Sequence, residues 1–320
     1  MCGIRLIFPL HLRKGLTDLK WMPDLEEIRV RIGQPMEFCY SYGSCYLGKT
    51  EDHIWFCPEK AYKEKEKELY RVTEQDIREM LNYISNYSLY AFREELRQGY
   101  ITIEGGHRIG VAGQVTMAEG EITGISPVTF LNIRVAHEKI GCAKKMLPLI
   151  KEKNGIFCTL IFSAPGAGKT TLLRDAVREL SAGADDCVKF KVAVVDERSE
   201  IAAGCHGIPQ NDLGPKTDVL DGCPKSAGMK LMIRSMSPQI IAVDELGREE
   251  DFMAVEEAIN CGCRVLGTIH AGSVRELTQK SYVYGWMQKS LFQRFVFLEK
   301  GMDGKRHITV YDEYLEKIPC

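Results

Sequence analysis

Apolar and polar positions alternate over residues 27–35 (EIRVRIGQP). Ile28, Val30 and Ile32 share one side, and Arg29 and Arg31 the other. That period of two predicts a half-buried strand closed by a turn at Gly33. Residues 39–47 read as a second strand. The run Lys63–Glu68 (KEKEKE) sets opposite charges at i,i+3 and like charges at i,i+4, which cancel, so it reads as a solvated face or loop. From Thr73 the period becomes helical: Ile77, Met80, Leu81 and Ile84 recur at i, i+3, i+4 and i+7. Thr73 is placed to cap that helix, and Asp76 to complete a capping box. A second helix is expected from about Ser88 to Gly99, a natural terminator. Residues 100–104 and 109–116 flank Gly105-Gly106 and predict a hairpin. No helix start follows the glycines of this GGHRIGVAG stretch, which favours turn chemistry over phosphate binding. Residues 130–135 predict a short strand, and 137–150 a helix as far as Pro148. The polar run 151–155 sets a domain boundary, with an α+β N-terminal domain over 1–150 and a second domain over 151–320.

The second part reads differently. Ile156–Phe162 is a continuous apolar run of strand length. Ser163-Ala164-Pro165-Gly166-Ala167-Gly168-Lys169-Thr170-Thr171 follows, then a helical pattern over 172–180. A strand, a glycine-rich turn and a helix form the setting of a P-loop, G-x-x-x-x-G-K-[ST], although Ser163 stands where the first glycine belongs. The pattern expects the backbone of residues 164–171 to ring phosphates. Lys169 would reach the β/γ end, and the Thr170 hydroxyl would sit in a Mg²⁺ shell. Two further apolar runs end in acids: 191–195 before Asp196-Glu197, and 240–243 before Asp244-Glu245. Open parallel sheets place ligands at that edge. One pair should supply an aspartate for Mg²⁺ and a glutamate that polarises water. Asp244-Glu245 is the better candidate, being bounded by Pro238 and well downstream of the loop; an aspartate that only caps the strand is the alternative. Residues 264–269 form a fourth strand ending at His270, either a γ-phosphate sensor or a structural histidine. Residues 295–298 and 307–311 suggest a closing hairpin. The fold class expected is α/β with a mainly parallel sheet.

Composition narrows the functions. Lys+Arg 42 against Asp+Glu 44 gives a net charge of −2, which argues against a strongly basic nucleic-acid binder. No window approaches the roughly 18 apolar residues of a membrane span, and residues 1–12 do not read as a targeting signal. The twelve cysteines include no CxxC pair, and Cys261-Gly262-Cys263 has no histidine at finger spacing. They read as reduced thiols of a cytosolic protein, with Cys158 a small buried hydrophobe.

The runs 166–175 (GAGKTTLLRD), 195–202 (VDERSEIA), 218–225 (DVLDGCPK) and 233–245 (IRSMSPQIIAVDE), with 27–35 and 105–113, resemble the stage III sporulation protein AA family. That family is similar to the ATPases of type II and type IV secretion and pilus assembly. The resemblance implies a RecA-like core and four boxes: Walker A at 166–171; an acidic box of Asp196, Glu197 and Glu200; Walker B at Asp244-Glu245; and a box ending in His270. It also implies an N-domain arginine at the nucleotide, for which Arg134 is the candidate. Further implications are ATP and Mg²⁺ as ligands, a homo-oligomer in the form of a hexameric ring, and a membrane protein of the channel between mother cell and forespore as partner. The protein itself would lie on the cytoplasmic, mother-cell side without membrane insertion. Cys205 and Cys223 fall in family-like loops near the ATP site. Competing readings are a nucleic-acid translocase on the same core and a nucleotide-gated scaffold with negligible turnover. A small-molecule kinase is weaker, because a glutamate after the Walker B aspartate suits water.

Overall fold

The structure, a computed structural model, describes residues 2–13, 15–16, 24–50, 53–85, 100–118, 120–152, 155–183, 189–301 and 305–319. Two compact units divide the chain between His137 and Glu138. The first unit contains short helices α1 (Cys2–Leu6), α2 (Leu10–Arg13) and α3 (Tyr62–Lys65), and the longer α4 (Glu74–Ile84). Its strands are β1 (Leu25–Arg31), β2 (Glu37–Tyr40), β3 (Gly43–Lys49), β4 (Ile54–Pro58), β5 (Tyr100–Thr102), β6 (Arg108–Ala118) and β7 (Glu121–Arg134). They form one antiparallel sheet in the order β4-β3-β2-β1-β7-β6-β5.

Ile28 and Val30 of β1 are fully buried, as the alternation requires. Ile77, Met80 and Ile84 of α4 join the same core. The capping box forms: Thr73 Oγ1 accepts the Asp76 N–H at 3.2 Å, and Asp76 Oδ2 accepts the Thr73 N–H at 2.8 Å. Residues 39–47, expected as one strand, are two strands around a turn at Ser41-Tyr42, because Gly43 takes φ 143° and reverses the chain. The short strand expected at 130–135 is the end of the 14-residue β7, paired on both sides. The helix expected at 88–99 lies outside the described residues.

The second unit opens with α5 (Leu147–Ile150) and a small ribbon, β8 (Lys151–Glu152) with β9 (Gly155–Ile156). Then come β10 (Thr159–Ser163), α6 (Lys169–Ala182), β11 (Val192–Asp196), β12 (Thr217–Asp221), α7 (Lys225–Met236), β13 (Ile240–Val243), α8 (Glu249–Asn260), β14 (Arg264–His270), α9 (Val274–Gln279), α10 (Ser281–Gln288), β15 (Arg294–Lys300) and β16 (Arg306–Tyr311). The sheet order is β12-β11-β13-β14-β10-β15-β16, parallel throughout except for β16. Alternate residues of each strand serve opposite faces. Ile161, Val192 and Val194 enter one core, and Leu160, Phe162, Ala193 and Val195 the other. A sheet covered on both faces accounts for the continuous apolar runs.

The boundary falls before the expected residue 150, because Ala143, Met146, Leu147 and Ile150 are buried in the second unit's core. Only 147–150 of the segment 137–150 is α-helical. Gly141 takes φ 84°, and Pro148, which lacks an N–H, is in the first turn of α5. Asp175 of α6 pins this segment by accepting the N–H groups of Gly141 and Ala143 at 3.0 and 2.7 Å.

Candidate nucleotide site

The glycine-rich loop leaves the end of β10 and enters α6 at Lys169. Gly166 and Gly168 take φ 73° and 103°, which glycine adopts freely. Ser163, at the pattern's first glycine, is not among the residues with positive φ, so the serine costs the loop no strain. Ala164, Pro165 and Gly166 are exposed, while Ala167 and Lys169 are buried. Thr171 lies in the first turn of α6, half-buried, and its carbonyl accepts the Cys142 thiol at 3.6 Å.

β14 lies beside β10 in parallel register, which pairs Ser163 with His270. Lys169 Nζ is 3.3 Å from Ser163 Oγ, 3.4 Å from the Ser163 and Ala164 carbonyls, and 3.0 Å from His270 Nδ1. An ammonium only donates, so Nδ1 accepts and the imidazole proton is assigned to Nε2. That nitrogen lies 2.9 Å from Glu245 Oε1. The result is a chain from the loop lysine through the imidazole to the glutamate. Burial lowers the Lys169 pKa, with Asp244 and Glu245 opposing it.

Thr170 Oγ1 donates to Asp244 Oδ2 at 2.5 Å. The hydroxyl of Thr268, on β14, donates to the other Asp244 oxygen and accepts the Glu245 N–H at 2.9 Å. Glu245 takes φ 54°, a left-handed conformation that costs a non-glycine residue roughly 1–3 kcal/mol and is held here by its neighbours. Its carboxylate also pairs with Arg198 at 2.6 Å. Burial alone would raise the Glu245 pKa. The His270 hydrogen bond and the charges of Arg198 and Lys169 outweigh it, and the pKa is lowered.

The acidic loop divides its labour. Asp196 is 2% exposed and accepts the N–H groups of Glu200, Ile201 and Ala202 at 2.8, 2.9 and 2.7 Å. Burial pushes its pKa up to about 6 despite those bonds. Its carboxylate therefore shapes the loop, with three backbone N–H groups already bound to it. Glu197 pairs with Lys225 of α7 and lies 3.9 Å from Arg248. Glu197, Glu200, Asp244 and Glu245 line one narrow cavity with Arg198 and Lys225. Arg174 of α6 donates to the Ile201 and Glu200 carbonyls at 2.8 and 2.7 Å, bracing the loop from beneath.

Among the described residues, no group of three or more His, Cys, Asp and Glu side chains is arranged to hold a metal ion by itself. The Thr170 hydroxyl and Asp244 carboxylate are hard oxygen donors, which suit Mg²⁺ sharing its shell with phosphates. Arg134 stands exposed at the end of β7 in the first unit, in register with Glu27 and Arg108. Cys205 and Cys223 are in no disulfide.

The sequence reading missed Arg198, Lys225, Arg174 and Thr268. Only Thr268 left a signal: it lies two residues before His270, hence on the same side of β14.

The family described as "Sporulation stage III, protein AA" matches residues 3–318. The chain belongs to this family. It is 36% identical over 316 residues to "Stage III sporulation protein AA" of Bacillus subtilis (strain 168), covering 98% of this chain and 95% of that one. Among solved structures, this family member is similar to the ATPase DotB of Legionella pneumophila (TM-score 0.57, 17% identity, 95% of this chain and 80% of that one). It is also similar to the pilus retraction motor PilT with bound ADP (TM-score 0.56, 15% identity, 89% and 78%). These likenesses show a shared α/β ATPase fold. No helix among the described residues is long and apolar enough to cross a membrane.

Proposed function

We propose that this chain binds ATP with Mg²⁺ on its RecA-like core and hydrolyses it, and that turnover powers or gates the sporulation channel between mother cell and forespore. The observation that carries the reading is the meeting of Lys169 and Thr170 with Asp244, Glu245 and His270 at the carboxyl edge of one parallel sheet. The loop amides and Lys169 bind phosphates. Thr170 and Asp244 hold Mg²⁺, which supplies charge neutralisation when bound. Glu245 orients water and accepts its proton. Glu197, Glu200 and His270 serve the γ-phosphate side, and Arg134 is the first unit's nucleotide arginine. A homo-oligomeric, hexameric ring docked on a membrane protein of the channel, on the cytoplasmic mother-cell side, completes the reading. It needs no nucleic acid, in keeping with a net charge of −2.

The ion pair of Arg198 with Glu245 favours one refinement: turnover is low until a partner releases the glutamate. Phosphate release and ADP titration test the whole. Lys169→Ala abolishes nucleotide binding. Glu245→Gln keeps binding and loses about 10²–10⁴-fold in turnover, the contribution of a positioned base. Undiminished turnover in Glu245→Gln overturns the assignment of the base.

A further inference from the structure

We propose that Arg306, which lies outside every motif above, binds the α-phosphate end of the nucleotide; this rests on the ATP reading of the site. Arg306 opens β16, and its Nε donates to the Ala167 carbonyl of the phosphate loop at 2.8 Å. A Cβ built on Gly168 would stand 2.9 Å from its Cζ, Nε and Nη2. The φ of 103° is what requires glycine at 168, and the missing side chain lets the guanidinium lie directly over the loop.

A brace needs only the Nε bond. Arginine has five donors in a planar fork. Among the described residues, the two terminal nitrogens of Arg306 have no hydrogen-bond or ion-pair partner, and the side chain is exposed. Asp175, on the helix that follows the loop, is already engaged by Gly141, Ala143 and Arg178.

Position selects the ligand atom. Lys169 Nζ points to Ser163, Ala164 and His270, which is the β/γ end. Arg306 flanks the other end of the loop, where Gly168 leads into α6. Its charge is felt at Cys142, whose thiol bonds the Thr171 carbonyl. A phosphate chain lying along the amides between these two cations presents its α-phosphate to Arg306. A fork already fixed at Nε loses little freedom when it takes up a phosphate oxygen.

The test is calorimetric titration with Mg²⁺-ADP and with its α-thio analogue (ADPαS, each diastereomer), on wild type, Arg306→Ala and Arg306→Lys. The expected results are an ADP affinity about tenfold weaker in Arg306→Ala, partial recovery in Arg306→Lys, and a sulfur penalty for one diastereomer in wild type that vanishes in Arg306→Ala. Thermal melting without ligand confirms that the variants fold. An Arg306→Ala affinity within about twofold of wild type, or an unchanged sulfur penalty, reduces Arg306 to a brace and overturns the proposal. A wild type that binds no ADP overturns the nucleotide reading and this proposal with it.

Discussion

The ammonium of Lys169 rests 3.0 Å from Nδ1 of His270, although the two residues are 101 positions apart in the chain. A phosphate drawing Lys169 to itself would take away the bond that orients the imidazole, whose other nitrogen holds Glu245 at 2.9 Å. Replacing His270 with alanine should therefore lower kcat while changing ADP affinity by less than about threefold. Steady-state rates beside equilibrium titration check this split, and a loss confined to affinity would refute the relay.

Arg198→Ala should act in the opposite direction. The pair is 62% exposed on the arginine side, so its worth is small, and basal turnover without a partner should rise about two- to fivefold. Phosphate release from the isolated protein is the measurement. A fall instead would make Arg198 a helper of the reaction rather than its restraint.

Thr268→Val keeps the shape of a fully buried side chain and removes the hydroxyl that serves both Asp244 and the Glu245 N–H. The hydroxyl's bond to the Asp244 carboxylate is worth about 1.5–3 kcal/mol, to be read from urea unfolding, while the Glu245 N–H keeps its 3.2 Å contact with Asp244 Oδ1. Turnover should fall as well, because Asp244 loses the group that aims it.

In the first unit, His107 is 1% exposed and its Nδ1 accepts the Ala136 N–H at 3.0 Å. Burial depresses its pKa from the ordinary 6.5 to about 4. The fold holds the neutral form, so the stability linked to this group is present above pH 6.5 and is lost as pH falls towards 4. Unfolding midpoints across that window should drop in wild type, and drop less in His107→Asn, which keeps an acceptor for Ala136. Parallel curves would refute the assignment.

What was legible in the sequence was local. The loop from Ser163 to Thr171 has fixed spacing, and Asp244-Glu245 and His270 each end an unmistakable apolar run. β12 was missed because it is a sheet edge: its five residues are exposed or half-buried and carry no apolar run. The segment 140–146 reads as helix by composition, yet hydrogen bonds from its Gly141 and Ala143 N–H groups to Asp175 hold it in turns. Arg198, Lys225 and Arg306 reach the site from distant segments, and an arginine or lysine on a surface element has no periodicity that announces a partner 28, 47 or 139 residues away.

The two hydrogen bonds from Arg174 to the acidic loop have a mechanical meaning. Arg174 sits on the helix whose first residue is the loop lysine, so the P-loop helix and the backbone of Glu200 and Ile201 form one lever. A tilt of that helix on filling or emptying the loop would carry the acidic segment along with it. Glu197 and Glu200 would then be repositioned by strain in the scaffold, before any phosphate oxygen came within their reach.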